Sequence, residues 1–203
     1  MRVKRTAFRL AALVAILFIS VWTGFLLAPR GAEAATLQEV KEKAIYFLYR
    51  EYAQNGVANS EAGVGSYALY VLKEAGVDIG SWTHNGVSLR EAVINAAKQD
   101  ISRADGVRTK FLVHDLVAMH VLGESTLSDQ LMGILKERQT ERGFEDMDPL
   151  SVYSNIPSFE LLGRAGLLGE INREWAKKYI LDRQYRQENR LLKHRNDQIH
   201  LLV

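Results

Sequence analysis

Two kinds of helical segment alternate along this chain, and their alternation restricts the fold more than any single motif does. In one kind apolar residues surround the segment: Tyr67, Ala68, Tyr70, Val71 and Leu72, then Phe111, Leu112, Leu116, Val117, Met119, Val121 and Leu122, then Phe159 to Leu168. In the other they keep to one stripe, as at Leu89, Ala92, Val93 and Ala96, at Leu127, Leu131, Ile134 and Leu135, and at Ile171, Trp175, Tyr179 and Ile180. A helix apolar on every side belongs inside a protein, and one with a single stripe belongs at its surface. The order therefore predicts an all-α chain of paired helices in two concentric layers.

Turn residues punctuate the pattern. Leu37, Val40, Ala44, Phe47 and Leu48 predict an amphipathic helix over Leu37 to Tyr52, stopped by Asn55 and Gly56. A second helix is expected from Gly65 to Ala75, closed by Gly76, and Asp78 to Ser88 reads as a loop holding Gly80, Trp82 and Gly86. The closing glycines Gly76, Gly123 and Gly166 lie 47 and 43 residues apart, and Gln99, Gln139 and Gln184 lie 40 and 45 apart. A period in the forties excludes tetratricopeptide and ankyrin lengths and leaves HEAT-like solenoids and closed double-helical rings.

The first 34 residues stand outside this pattern. Arg2, Lys4, Arg5 and Arg9 precede an apolar run from Leu10 to Leu27, and Ala32 and Ala34 follow it. A charged start, an apolar core and an Ala-x-Ala site describe a secretory signal peptide cleaved before Ala35. The run also approaches the roughly 20 residues that cross a bilayer, so an uncleaved N-terminal anchor is the alternative. Residues 1–34 hold five of the 26 Lys and Arg but one of the 24 acids, so the remainder carries a net charge of −2. That balance gives no reason to expect a nucleic-acid partner. Cysteine is absent, which removes disulfides and thiolate ligands and leaves stability to packing. The organisation expected is a signal peptide over 1–34, a helical-repeat domain over 35–184 and a basic, helical or disordered tail over 185–203.

The pair formed by Gln139 at a helix end and the Gly143–Phe144 turn resembles the repeat of the terpenoid cyclase and protein prenyltransferase alpha-alpha toroids. The resemblance covers most of Leu37 to Gln184 and is strongest from Leu135 onward. The run from Ser154 to Gln184 looks like the repeat of secreted bacterial proteins with squalene-cyclase-like repeats. It implies an alpha-alpha toroid arc of about three helical hairpin repeats, where a complete ring has about twelve helices. Tyr185 to Val203, without glycine, proline or serine, departs from the repeat. That segment reads either as an extension of the last helix or as the truncated or frame-shifted end of a longer chain.

Chemistry in such enzymes rests on acids or zinc. A squalene-cyclase-like acid must stay neutral in a dry cavity, and the resemblance implies an Asp-x-Asp-Asp motif for it. Asp146, Met147, Asp148 and Pro149 lack the final acid, so Asp146 and Asp148 are the catalytic candidates, set against a helix-capping role for Asp before Pro. Prenyltransferase-like zinc chemistry needs a thiolate that is absent here, and His114 and His120 lie six apart, off one helical face. No metal and no cofactor is expected. No Gly-x-Ser-x-Gly turn occurs, and Gly63, Gly65 and Ser66 make no phosphate motif. His114, Asp115, Tyr153 and Asn155 are the ligand-binding candidates, while Tyr67, Tyr70, Tyr153 and Trp82 offer an aromatic pocket or ordinary packing.

The leading functional expectation is a secreted or cell-surface, non-catalytic module that binds a ligand or a partner domain, in association with the cell wall or membrane surface. The alternative is an enzyme, or enzyme fragment, of the terpenoid cyclase and prenyltransferase class acting on an isoprenoid substrate.

Overall fold

The computed structural model describes residues 36–58, 63–146 and 151–183. Within these residues the chain is mostly helical, as the alternation of apolar segments implies. Its helices are α1 (Leu37–Asn55), α2 (Ser66–Glu74), α3 (Leu89–Ser102), α4 (Thr109–Leu122), α5 (Ser125–Arg138), α6 (Ser151–Arg164) and α7 (173–183). Short 3-10 turns occupy Ala104–Gly106 and Leu168–Glu170. The expected leader, Asp148 and the tail from 185 lie outside the described residues.

Contacts divide the chain into one unit ending at Glu42 and another running from Lys43. In the first, Thr36 and Glu39 close a reciprocal cap: the Thr36 backbone N–H donates to Glu39 Oε2 at 2.8 Å, and the Glu39 N–H donates to Thr36 Oγ1 at 3.2 Å. The helix begins where the sequence predicted, but of its apolar stripe only Leu48 is partly buried against the core. Leu37 is 86% exposed, and Val40 and Phe47 are also exposed.

In the second unit α4 is the hub. It packs against α2, α3, α5 and α6, and α3 also meets α2 and α5. A helix with four neighbours needs apolar residues on nearly every side, which is the composition of α4. Leu112, Val113, Leu116, Val117, Ala118 and Met119 are all buried, and Phe111 is partly buried against the same core. Each large one contributes about 1.5–3 kcal/mol by leaving water.

The three broad helices stop in the same way. Gly76, Gly123 and Gly166 hold φ of 71°, 74° and 73°, a conformation open to glycine at little cost. At each stop the glycine N–H donates three residues back, to Lys73, His120 and Gly163. The N–H of the next residue donates five residues back, from Val77 to Leu72, Glu124 to Met119 and Leu167 to Leu162. This paired arrangement satisfies the last carbonyls of all three helices.

Two short antiparallel ribbons join helices. The segment read as a loop from Asp78 to Ser88 contains β1 (Thr83–His84) and β2 (Val87–Ser88), in register Thr83 with Ser88 and His84 with Val87. Asn85 and Gly86 both have positive φ, the conformation a tight hairpin turn requires. Tyr52 Oη donates to the Val87 carbonyl at 2.8 Å, and Tyr49 meets Trp82 edge-on, so the ribbon rests on the end of α1. Ser88 then caps α3 by accepting from the Glu91 N–H. The second ribbon is the Gly-Phe turn itself: β3 (Gln139–Thr140) pairs with β4 (Gly143–Phe144).

Candidate functional site

An aromatic strip runs across α2 and α4. Residues 111 and 114 are one turn apart on α4, and Tyr67 sits near the start of α2. Tyr67 stacks on His114 with centroids 5.0 Å apart, Phe111 meets His114 edge-on at 5.8 Å, and Lys110 Nζ lies 5.4 Å from the Phe111 centroid. The Tyr67 side is 47% exposed, while His114 and Phe111 are half-buried. On α6, Tyr153 is largely exposed. Flat rings next to a cation suit apolar or ring-faced ligands better than small ions.

Asp115, one residue beyond His114, turns inward. It is wholly buried and its Oδ1 accepts a short hydrogen bond from Ser66 Oγ, while Oδ2 has no hydrogen-bond partner among the described residues. The carboxyl of Asp100, from α3 and also buried, lies beside it, and Arg103 donates to Asp100 Oδ1 at 2.9 Å. Burial first, and then the neighbouring Asp100 charge, push the Asp115 carboxyl up to about 7 against the lowering effect of the Ser66 bond. Asp115 thus keeps its proton up to near neutral pH, well above the range in which an exposed aspartate has lost it.

Asp146 takes a third position. Its Oδ2 accepts from the Thr109 N–H at 3.1 Å and from Ser154 Oγ at 2.6 Å, so it caps the first turn of α4 from 37 residues away. Arg138 binds the same corner through the carbonyls of Val107, at 2.9 Å, and Ala104, and through Thr109 Oγ1 at 3.2 Å. Asp105, Arg138, Glu145 and Asp146 line an open cleft of about 310 Å³. Asn155 is buried close by, with Oδ1 accepting from the Phe144 N–H at 2.5 Å. Gln139 spans from the ribbon to α7: its Nε2 donates to the Asn172 carbonyl at 2.8 Å and its Oε1 accepts the Asn172 N–H at 2.7 Å.

The candidates from sequence therefore separate. His114 and Asp115 are chain neighbours on different faces, Asp146 holds backbone at the start of α4, Asn155 holds backbone at the second ribbon, and Tyr153 stands in solvent. Asp100 and Arg138 escaped the sequence reading, and Ser66 enters it only as part of a phosphate motif that is set aside. For Asp100 a signal existed, since Leu89, Val93, Ala97 and Asp100 fall on one buried stripe of α3. Among the described residues no three His, Cys, Asp or Glu side chains gather as a metal site requires, and no helix is long and apolar enough to cross a membrane. No family model, curated protein or solved structure matches the chain.

Proposed function

We propose that this chain is a non-catalytic, secreted or cell-surface helical-repeat module that binds a ligand or partner domain through the face shared by α2, α4 and α6. In this reading the three helices are the inner layer of an alpha-alpha toroid arc, with α3, α5 and α7 behind them. The recurrent glycine stops on α2, α4 and α6 support the repeat. The observation that carries the binding role is the accessible Tyr67–His114–Phe111 strip, because aromatic side chains are the usual anchors of recognition surfaces. Asp146 and Asn155 are engaged in holding backbone, which favours a structural use of those polar groups.

The test is retention of the purified full chain on isolated bacterial cell-envelope material. Tyr67→Ala combined with His114→Ala is expected to abolish retention with an unchanged circular dichroism spectrum. Equal retention by the double variant, or turnover of squalene or a polyprenyl diphosphate by the parent, overturns the reading.

One observation favours the enzymatic alternative, with a different acid from those marked in the sequence. Asp115 is a buried carboxyl pushed up to about 7 by its surroundings, the direction of shift a proton donor to an isoprenoid needs. Under that reading Asp115→Asn eliminates turnover of squalene, whereas Asp146→Asn retains it.

A further inference from the structure

A buried acid with one oxygen satisfied, the other without a donor and a second acid beside it is an incomplete hydrogen-bond arrangement. Asp115 sits in α4 with Oδ1 on the Ser66 hydroxyl of α2, and Oδ2 has no donor. Asp100 of α3 lies against it and is held on its own side by Arg103. Both carboxyls are shielded from water, so two charges there repel without solvent screening. One proton on Asp115 resolves both problems: Oδ2 becomes a donor to Asp100, and a single negative charge remains opposite Arg103.

We infer that Asp115 and Asp100 share one proton that fastens α2 and α3 to α4, and that losing it as the medium becomes alkaline loosens the start of α2. From α2 the facing group is Ser66, from α3 it is Asp100 with Arg103 behind it, and on α4 the neighbouring turns carry Phe111, Leu112, Ala118 and Met119. The residues that α5 buries are Leu131, Met132 and Leu135, which do not titrate. Those buried on α6 include Ser154 and Ser158, whose hydroxyls donate to Asp146 and to the Ser154 carbonyl, and Phe159 and Leu162.

The sign of the pH effect follows from the folded chain holding the proton more tightly than the unfolded one. The contribution to stability is complete below the ordinary aspartate value of 3.8 and is lost as pH rises through about 7. Raising the pH from 5.5 to 8 is expected to lower the melting temperature of the full chain by about 4–8 °C. Asp115→Asn keeps a donor toward Asp100 and an acceptor for Ser66, so its melting temperature is expected to stay level across that range and to exceed the parent's at pH 8. Asp100→Asn removes the repelling charge and is expected to move the parent's transition to lower pH.

Hydrogen exchange supplies the local readout. After correction for intrinsic rates, amides of residues 66–74 should exchange faster at pH 8 than at pH 6 in the parent and equally in Asp115→Asn. Parallel pH profiles for parent and Asp115→Asn overturn the inference. If the Asn variant does not fold, infrared spectroscopy of the parent decides: a protonated-carboxyl band present at pH 6 and absent at pH 8.5 supports the shared proton, and its absence at pH 6 refutes it.

Discussion

Gly143 shows how closely the second ribbon is packed. A Cβ built there lies 2.6 Å from Asn155 Oδ1 and 2.8 Å from Tyr179 Cε2, on a backbone with φ of 100°. Gly143→Ala combines steric overlap with a left-handed conformation and is expected to cost about 2–4 kcal/mol in urea unfolding. Tyr179 makes the opposite case. Its ring packs on Phe159 and under Arg183, yet its hydroxyl is buried with no hydrogen-bond partner among the described residues. Tyr179→Phe removes a desolvated polar group and is expected to be neutral or stabilising by up to about 1 kcal/mol, measured the same way. Single residues of this sort were only partly legible in the sequence. Gln139 and Gly143–Phe144 stood out as a unit, but that Asn155 accepts from the Phe144 N–H depends on how α6 returns to the ribbon. The Asp100–Asp115 pair likewise arises from helices that place residues 15 positions apart side by side.

Helices were more readable than the links between them, because periodicity follows from the chain's own geometry while links follow from packing. The predicted helix Gly65 to Ala75 is α2, and the segment Lys110 to Leu122 is α4 less its first residue. The last broad segment was set too late in the chain: α6 runs from Ser151 to Arg164, since Tyr153, Ser154 and Pro157 continue a helix whose early turns are too polar to look buried. The first ribbon was read as a loop although Asn85–Gly86 is the turn signal a hairpin needs. Between elements, the Gln139 clasp on Asn172 is the clearest coupling, holding the N-terminus of α7 to the end of α5. Gln99 does not repeat it, being exposed on the last turn of α3; at the opposite end of that helix Arg90 reaches Glu124 and the Leu122 carbonyl. Gln139→Ala should therefore act on one joint. The expected result is a loss of about 1–3 kcal/mol, with hydrogen-exchange protection falling in 173–183 and persisting in α4.

For the Lys43–Val203 unit as a whole, the hub position of α4 sets the degree of cooperativity. Leu116 is 1% exposed in a helix that touches four others, so a void there weakens the packing of the central helix. Leu116→Ala is expected to cost about 2–5 kcal/mol, with the near-ultraviolet and far-ultraviolet transitions staying coincident. Divergent transitions would show that the helices unfold as separate blocks. The hub also lies midway along the described part of the unit, with α2 and α3 before it and α5 and α6 after it. A ribosome therefore delivers α4 when half of its neighbours exist and half are still unmade. Until Arg164 emerges, one flank of the greasiest helix stays wet, and nascent chains at that length are the ones a chaperone has most reason to hold.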